Sequence, residues 1–504
     1  MRQKLITSFL LLFFFQIAIS QSIKGKIVDS KTGENLPYAN IKVNESENLV
    51  SNDEGYFTLS ESNSNDASVL LIVSYLGYVN RQITVGELKN LEYSIALQPA
   101  IFEINEVNVS NKKPNANEIM ANVKANLDRN YKNEGQAKKD VLFYRRSETN
   151  KPSILDVEID KSTGYTKQQL KSVNTDLQYF TTKLIAQPPK EFTDMLCNYY
   201  SVSTKKEDKT LYLSKLEVQK AIKLKNENRS ASLEDLQKMA SDIMLKHLDT
   251  TKYYRIKSGL FGSRDTLSLR KDFKKKKKKN NQLNLSKSSL TTFIMEHNFL
   301  NKVKKDFISQ TDLYDYVYEG TTFSNSNEFV YVISFKPRRS KAIYTGKLYI
   351  SETDYAVVRA DYALAEGKKA GGLNMKFLLG IKMSENVSKG TIIYKQNPIG
   401  SGYYMHYASV ETGQYFYINR PLKFIELTDD EKDVVSLDLK IEGNTREKTE
   451  FLNISRSETS QATIEKVKEE DFNFTNLKSY DPSIWKNYSS IEPIEEMKQF
   501  KAVD

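Results

Sequence analysis

Between residues 22 and 98, short apolar runs are cut by turn signals at intervals of roughly 8–12 residues. That rhythm allows little except a β-sandwich. Ile23 to Val28 alternates apolar and polar side chains, and the polar turn Asp29-Ser30-Lys31-Thr32-Gly33-Glu34 follows. Pro37 to Val43 alternates again, with Ala39, Ile41 and Val43 on one face. Asn52-Asp53-Glu54-Gly55 is a second turn and leads into Tyr56-Phe57-Thr58-Leu59. Val69 to Tyr75 is almost continuously apolar, as a central strand buried on both faces would be.

Three blocks of this segment carry a family resemblance. Gly25-Lys26-Ile27-Val28-Asp29 with Thr32-Gly33-Glu34-Asn35-Leu36-Pro37-Tyr38-Ala39-Asn40-Ile41 resembles the opening of the carboxypeptidase regulatory-like family. Ser51-Asn52-Asp53-Glu54-Gly55-Tyr56-Phe57 and Val73-Ser74-Tyr75-Leu76-Gly77-Tyr78 resemble its second and third blocks. The resemblance implies a transthyretin-like sandwich of seven strands. It also implies an accessory module without catalysis, whose glycines and aromatics are structural.

The N-terminus predicts export. Arg2 and Lys4 precede the apolar stretch Leu5–Ile19, and Ala18-Ile19-Ser20 offers small residues for cleavage after Ser20. The stretch is short of the roughly 20 residues that span a bilayer. The one cysteine, Cys197, excludes an intramolecular disulfide and a thiolate cluster, and lies far from the leader, so the lipid-modified cysteine of a lipoprotein is absent. The expected location is therefore the periplasm or outer membrane of a bacterial envelope. The net charge is +10, and one run, Lys274–Lys279, supplies six of those charges. Such a block reads as a solvated loop or as a contact for anionic lipid. A nucleic-acid face would spread its cations among aromatics.

The boundaries read as 1–20 leader, 21–98 sandwich, 99–140 connector and helix, 141–460 an α+β domain, and 461–504 a partly helical tail. Ile104 to Val109 resembles the short strand that follows this module in many bacterial envelope proteins. Ile119, Met120, Val123 and Leu127 fall at helical spacing, with Asn115 or Asn117 as cap. The segment Lys113–Met120 is similar to one in outer-membrane proteins that carry the same module and usually end in a β-barrel. Here the C-terminal third has too few amphipathic strands for a full barrel. Residues 141–230 give no clear pattern. Residues 232–248, capped by Ser232, form the plainest helix.

With 30 Tyr and 24 Phe the chain leans towards strands. Expected strands are Leu313–Tyr318, Phe329–Phe335, Ile343–Ile350, Tyr355–Leu364, Met375–Met383, Thr391–Tyr394, Tyr403–Val410 and Gln414–Asn419. Short links favour an antiparallel meander, and a curved sheet or half-barrel similar to periplasmic lipoprotein carriers is the preferred picture. The fold class is thus mainly β with α. Trp485 is expected to dock back onto the body.

The chemical motifs are sparse. His247, His297 and His406 lie at no metal-binding spacing, and Gly400-Ser401-Gly402 is a turn rather than a nucleophile elbow. Cys197, beside Met195 and Leu196, reads as buried and inert. None of the 64 acidic residues is marked as a catalytic pair. No cofactor, metal or nucleic acid is implied. Tyr314, Tyr316 and Tyr318 share one strand face and are the candidate ligand-contacting residues, with cross-strand packing as the plainer reading. Gly371-Gly372 and Gly380 could let the sheet bend into a concave face. The functional expectation is a non-catalytic envelope protein that binds a partner protein or an amphiphilic ligand. The alternative is a hydrolase acting on envelope glycan or peptide.

Overall fold

The computed structural model describes residues 22–44, 47–100, 114–132, 135–163, 165–206, 209–226, 253–258, 261–262, 267–268, 281–324, 328–427 and 434–502. The expected leader 1–20, the segment 104–109, the stretch 232–248 with His247, and the lysine run 274–279 lie outside the described residues. The chain divides into two units. One joins the N-terminal residues to Asp481–Ile494, and the other holds the rest.

The first unit contains seven strands: β1 (Lys24–Asp29), β2 (Asn40–Val43), β3 (Glu47–Val50), β4 (Tyr56–Thr58), β5 (Leu70–Ser74), β6 (Arg81–Thr84) and β7 (Ser94–Leu97). They form a three-stranded sheet, β4-β1-β7, and a four-stranded sheet, β3-β2-β5-β6. The alternation read from the sequence supplies the filling: Ile27, Ile41, Phe57, Leu71, Val73 and Ile95 are buried in one cluster. Helix α1 (Glu61–Asn65) and helix α2 (Val85–Asn90) complete the module, and Thr84 and Glu87 form a capping box on α2.

A strip from the far end of the chain belongs to this unit, although the sequence ends the sandwich at residue 98. Glu492 accepts the Thr58 hydroxyl and lies 3.6 Å from Lys24. The Asn52 side chain donates to the Pro493 carbonyl at 3.4 Å, and Lys486 pairs with Glu61 at 3.6 Å. Ile491 and Trp485 are buried. Pairing across more than 400 positions leaves no periodic trace, which is why the boundary could not be read from residues 22–98.

The second unit is built on one large open sheet. Its strands are β8 (Lys138–Ser162), β9 (Lys190–Lys206), β10 (Lys209–Leu224), β11 (Tyr253–Ser258), β12 (Phe261–Gly262), β13 (Leu267–Ser268), β14 (Tyr314–Phe323), β15 (Phe329–Pro337), β16 (Tyr344–Ser351), β17 (Val357–Leu364), β18 (Gly371–Met375), β19 (Ile381–Gln396), β20 (Tyr403–Glu426), β21 (Val434–Glu458) and β22 (Thr475–Leu477). The main path runs β14-β15-β16-β17-β19-β20-β21-β8-β9-β10-β22, so the expected meander is the backbone of the unit.

Two sequence expectations are corrected, and a region without a clear pattern acquires its elements. Tyr403–Val410 and Gln414–Asn419 are one 24-residue strand, because Gly413 lies inside the ladder with the Arg446 side chain packed over it. Met375–Met383 is a reversal, described below. Residues 141–224 hold three long strands and helix α4 (Lys167–Ala186). The chain passes through Asn150-Lys151-Pro152 within β8 with only a register shift opposite Gly443.

Two patches of one sheet face are covered. Helix α3 (Ala116–Tyr131), capped by Asn115, joins helix α5 (Gln282–His297) and helix α6 (Asp306–Ser309) in the main core. Met120, Val123, Leu290 and Phe307 from these helices pack with Phe335, Leu348, Ile392 and Ala408 from the strands. At the other end α4 lays Val173 and Leu177 against Ile159, Val435 and Leu437.

Candidate apolar binding surface

The tyrosine ladder of β14 alternates as expected: Tyr314 and Tyr316 are buried, while Asp315 and Val317 turn outward. The Tyr314 hydroxyl donates to Asp306 Oδ1 at 2.8 Å and the Tyr316 hydroxyl to the Phe307 carbonyl at 2.8 Å. Phe307 stacks on Phe335 at 4.7 Å, and Tyr314 meets the Phe335 ring edge-on at 5.8 Å. Tyr318, half-buried, packs edge-on with Tyr331 at 6.2 Å and shares a 2.7 Å hydrogen bond with Thr321. Helix α6 thus closes this part of the face, and the first two hydroxyls are held by it.

The other reactive groups named from the sequence are enclosed as well among the described residues. Cys197 is fully buried, and burial pushes its thiol up; its nearest polar contact is the Leu142 carbonyl at 3.8 Å. His297 Nδ1 donates to the Phe293 carbonyl at 2.8 Å, and the two rings stack at 4.3 Å. Burial, then the charge of Lys305, pushes His297 down to about 3. His406 is fully buried and is likewise lowered by burial. Burial brings Lys305 down to about 7, with its ammonium 4.8 Å over the Tyr362 ring.

Two buried carboxylates of the sheet are matched to arginines. Arg145 makes a two-pronged contact with Asp194 at 2.7 and 2.8 Å and approaches Glu450 at 4.0 Å. Arg456 does the same with Asp140 at 2.7 and 2.9 Å. Burial, the largest influence, would raise Asp140; the charge and hydrogen bond of Arg456, with Lys138 and Asn453, together outweigh it and keep the carboxyl low. Among the described residues, no group of three or more His, Cys, Asp or Glu could hold a metal ion.

The open part of the second unit lies between the two covered patches. β18 pairs with the start of β19, and between them helix α7 (Lys376–Leu379) turns the chain over. Gly380 ends that turn at φ +64°, where a Cβ would stand 2.0 Å from the Asn419 carbonyl. Gly372 lets the Met383 carbonyl come within 2.7 Å of where its own Cβ would be. Both positions need glycine, and the chain reverses where the sequence alone suggested a single strand.

The reversal exposes apolar side chains. Phe377 is 98% exposed, Leu378 73%, Leu373 49% and Met383 40%. From its base a half-buried apolar row crosses the sheet. Met375 pairs with Ile381, Ile381 with Ile418, Ile418 with Ile441, and Ile441 with Leu155. Directly paired residues point to the same face, so five strands contribute to one apolar row. On the opposite face Lys376 lies 4.1 Å over Tyr417 and Lys382 5.5 Å over Tyr415. The sequence signal for this hairpin was the run Gly371-Gly372-Leu373-Asn374-Met375-Lys376-Phe377-Leu378-Leu379-Gly380, an apolar stretch bounded by glycines.

Residues 23–109 match the CarboxypepD_reg-like domain family, in agreement with the strand pattern of the first unit. No curated protein matches the chain. Two solved structures resemble it faintly. A DUF1329 family protein from Desulfovibrio piger ATCC 29098 is 9% identical, with a TM-score of 0.18, covering 70% of this chain and 98% of its own. The complex structure of Pseudomonas aeruginosa MucA/MucB gives 8% identity and a TM-score of 0.16, covering 68% and 98%.

Proposed function

We propose that this is a non-catalytic protein of the bacterial envelope, held in the periplasm or at the outer membrane, that binds an amphiphilic ligand along the apolar row of its large sheet. One observation carries the reading. Ile381, Ile418, Ile441 and Leu155 stand half-buried in register on a sheet face whose two neighbouring patches are sealed by helices. A row four strands wide spans roughly 14 Å at the usual strand spacing of about 4.8 Å, which suits an acyl chain laid across the strands. Each methylene removed from water there contributes about 0.8 kcal/mol. The buried ions and tyrosine hydroxyls, by contrast, are paired within the fold, as suits a scaffold better than a reaction centre.

The N-terminal leader supports the envelope location, and the sandwich supports an accessory role beside the larger unit. Native mass spectrometry of protein purified from its own envelope tests the binding. The expected result is a lipid-like adduct that disappears in Ile418→Asp and Ile441→Asp variants with unchanged circular dichroism. Protein that carries no adduct, and whose Ile418 methyls give no transferred contacts with an added fatty acid, would remove the reading.

A further inference from the structure

We infer that the 371–383 hairpin is a membrane-contacting tip that inserts its apolar end into the headgroup region of an anionic bilayer. The inference goes beyond the ligand row, since it stands on different side chains: Leu373, Phe377, Leu378 and Met383.

Phe377 and Leu378 project from the reversal itself, and Leu373 and Met383 pair with each other in the two strands that lead into it. Phe377, at 98% exposed, touches almost nothing of its own chain. A residue of that size left in water at a turn that two obligatory glycines hold in place is a fixed feature of the fold. A stable protein interface uses roughly 20–30 residues a side, far more than this tip offers. A bilayer asks for less: an amphipathic element needs only its apolar face sunk about 5–10 Å below the headgroups.

Charge fits the same occupant. Lys369, Lys376 and Lys382 lie within or beside the hairpin, and Arg420 packs against Gly380 at its base. The acids nearest in sequence are Glu366 and Glu385. The ammonium groups of Lys376 and Lys382 sit over Tyr417 and Tyr415 on the face opposite the apolar one. Lysine and tyrosine above an apolar wedge is the arrangement expected at the boundary between headgroup and acyl chain. Anionic lipid adds an electrostatic attraction that falls within a Debye length, so the lysines must be this close to the tip to act.

Vesicle sedimentation of the purified full chain tests this. Protein should pellet with vesicles of equal parts phosphatidylglycerol and phosphatidylcholine and much less with phosphatidylcholine alone. F377S/L378S should weaken binding at least tenfold without moving the melting temperature, because neither side chain is in a core. K376Q/K382Q should erase most of the preference for anionic vesicles and leave the weaker apolar binding. Equal pelleting of the native chain and F377S/L378S would overturn the inference. So would a photocrosslinker at position 377 that labels one protein in cells while vesicles bind nothing, which would make the tip a protein contact. Both results leave the adduct experiment on Ile418 and Ile441 unaffected.

Discussion

The two halves of the large sheet treat the same kinds of side chain in opposite ways. Around β14–β17, tyrosines and phenylalanines are covered by α6, and the Tyr314 and Tyr316 hydroxyls have internal acceptors. Around β18 and the start of β19, Phe377 and Leu378 stand exposed, with no helix above them among the described residues. Aromatic content alone does not distinguish a core from a contact surface; the covering element does. A four-residue helix placed over β14 converts a ladder of tyrosines into packing, and a four-residue helix placed at a strand reversal converts a phenylalanine into an exposed tip.

The largest effect is expected where a buried charge is left unmatched: Arg145 and Asp194 pair across β8 and β9 and alternate with Tyr144 and Met195, which face the helix-covered core. Arg145→Met should cost about 3–5 kcal/mol, since buried Asp194 would lose both hydrogen bonds of its two-pronged partner. Urea denaturation would measure it, and a loss below about 1 kcal/mol would mean that water reaches Asp194.

Acid should act on the helix-covered side, where His297 stacks on Phe293 of the main core. His297 is held near 3 in the fold and would sit near its ordinary value of about 6.5 when unfolded. Between those values only the unfolded chain takes up the proton, so stability falls as pH drops below about 6.5. At pH 5 this group alone removes about 2 kcal/mol relative to pH 7. His406 contributes in the same direction. H297N should flatten the slope, and an unchanged slope would show that His297 is protonated in place.

Tyr314→Phe removes a single donor and leaves Asp306 short of a partner. The expected cost is about 1–2 kcal/mol, read as a lower denaturation midpoint at an unchanged slope. Smallest of all is Phe377→Ser, which should move stability by less than about 0.5 kcal/mol. A larger loss there would mean that the tip is packed, and the contrast between the halves would disappear.

Much of the first unit was legible because its strands are short and each buries one face, so Ala39, Ile41 and Val43 announce themselves by alternation. The meander was legible for the same reason from Tyr314 to Leu364. β8 was not, because Asn150-Lys151-Pro152 carries breaker residues inside a 25-residue strand. Helix α4 left a signal that was passed over: Thr166 and Gln169 form a capping box, and Val173, Leu177, Thr181 and Leu184 follow at helical spacing. Tyr314, Tyr316 and Tyr318 were placed correctly on one face, but nothing in their own strand tells that Asp306 and Phe307, upstream in the chain, close over the first two. The exposed tip at Phe377 depends on the conformation of Gly380, and composition cannot distinguish a glycine that bends a sheet from one that reverses it.

The strip Asp481–Ile494 has a consequence for biogenesis. The first unit begins to emerge early in synthesis, yet one of its parts is made almost last, about 380 residues later. Closing so long a loop costs little more than closing a short one, because the entropy grows only with the logarithm of length. The delay is therefore one of time rather than of energy. Until the final residues arrive, Thr58, Asn52 and Lys24 wait without Glu492 and Pro493. A chain truncated near residue 480 would leave the sandwich permanently unfinished, marking the incomplete product for proteolysis. The chain's single tryptophan, Trp485, lies in that strip. Its fluorescence is a built-in clock for the moment at which the last-made segment joins the first-made unit.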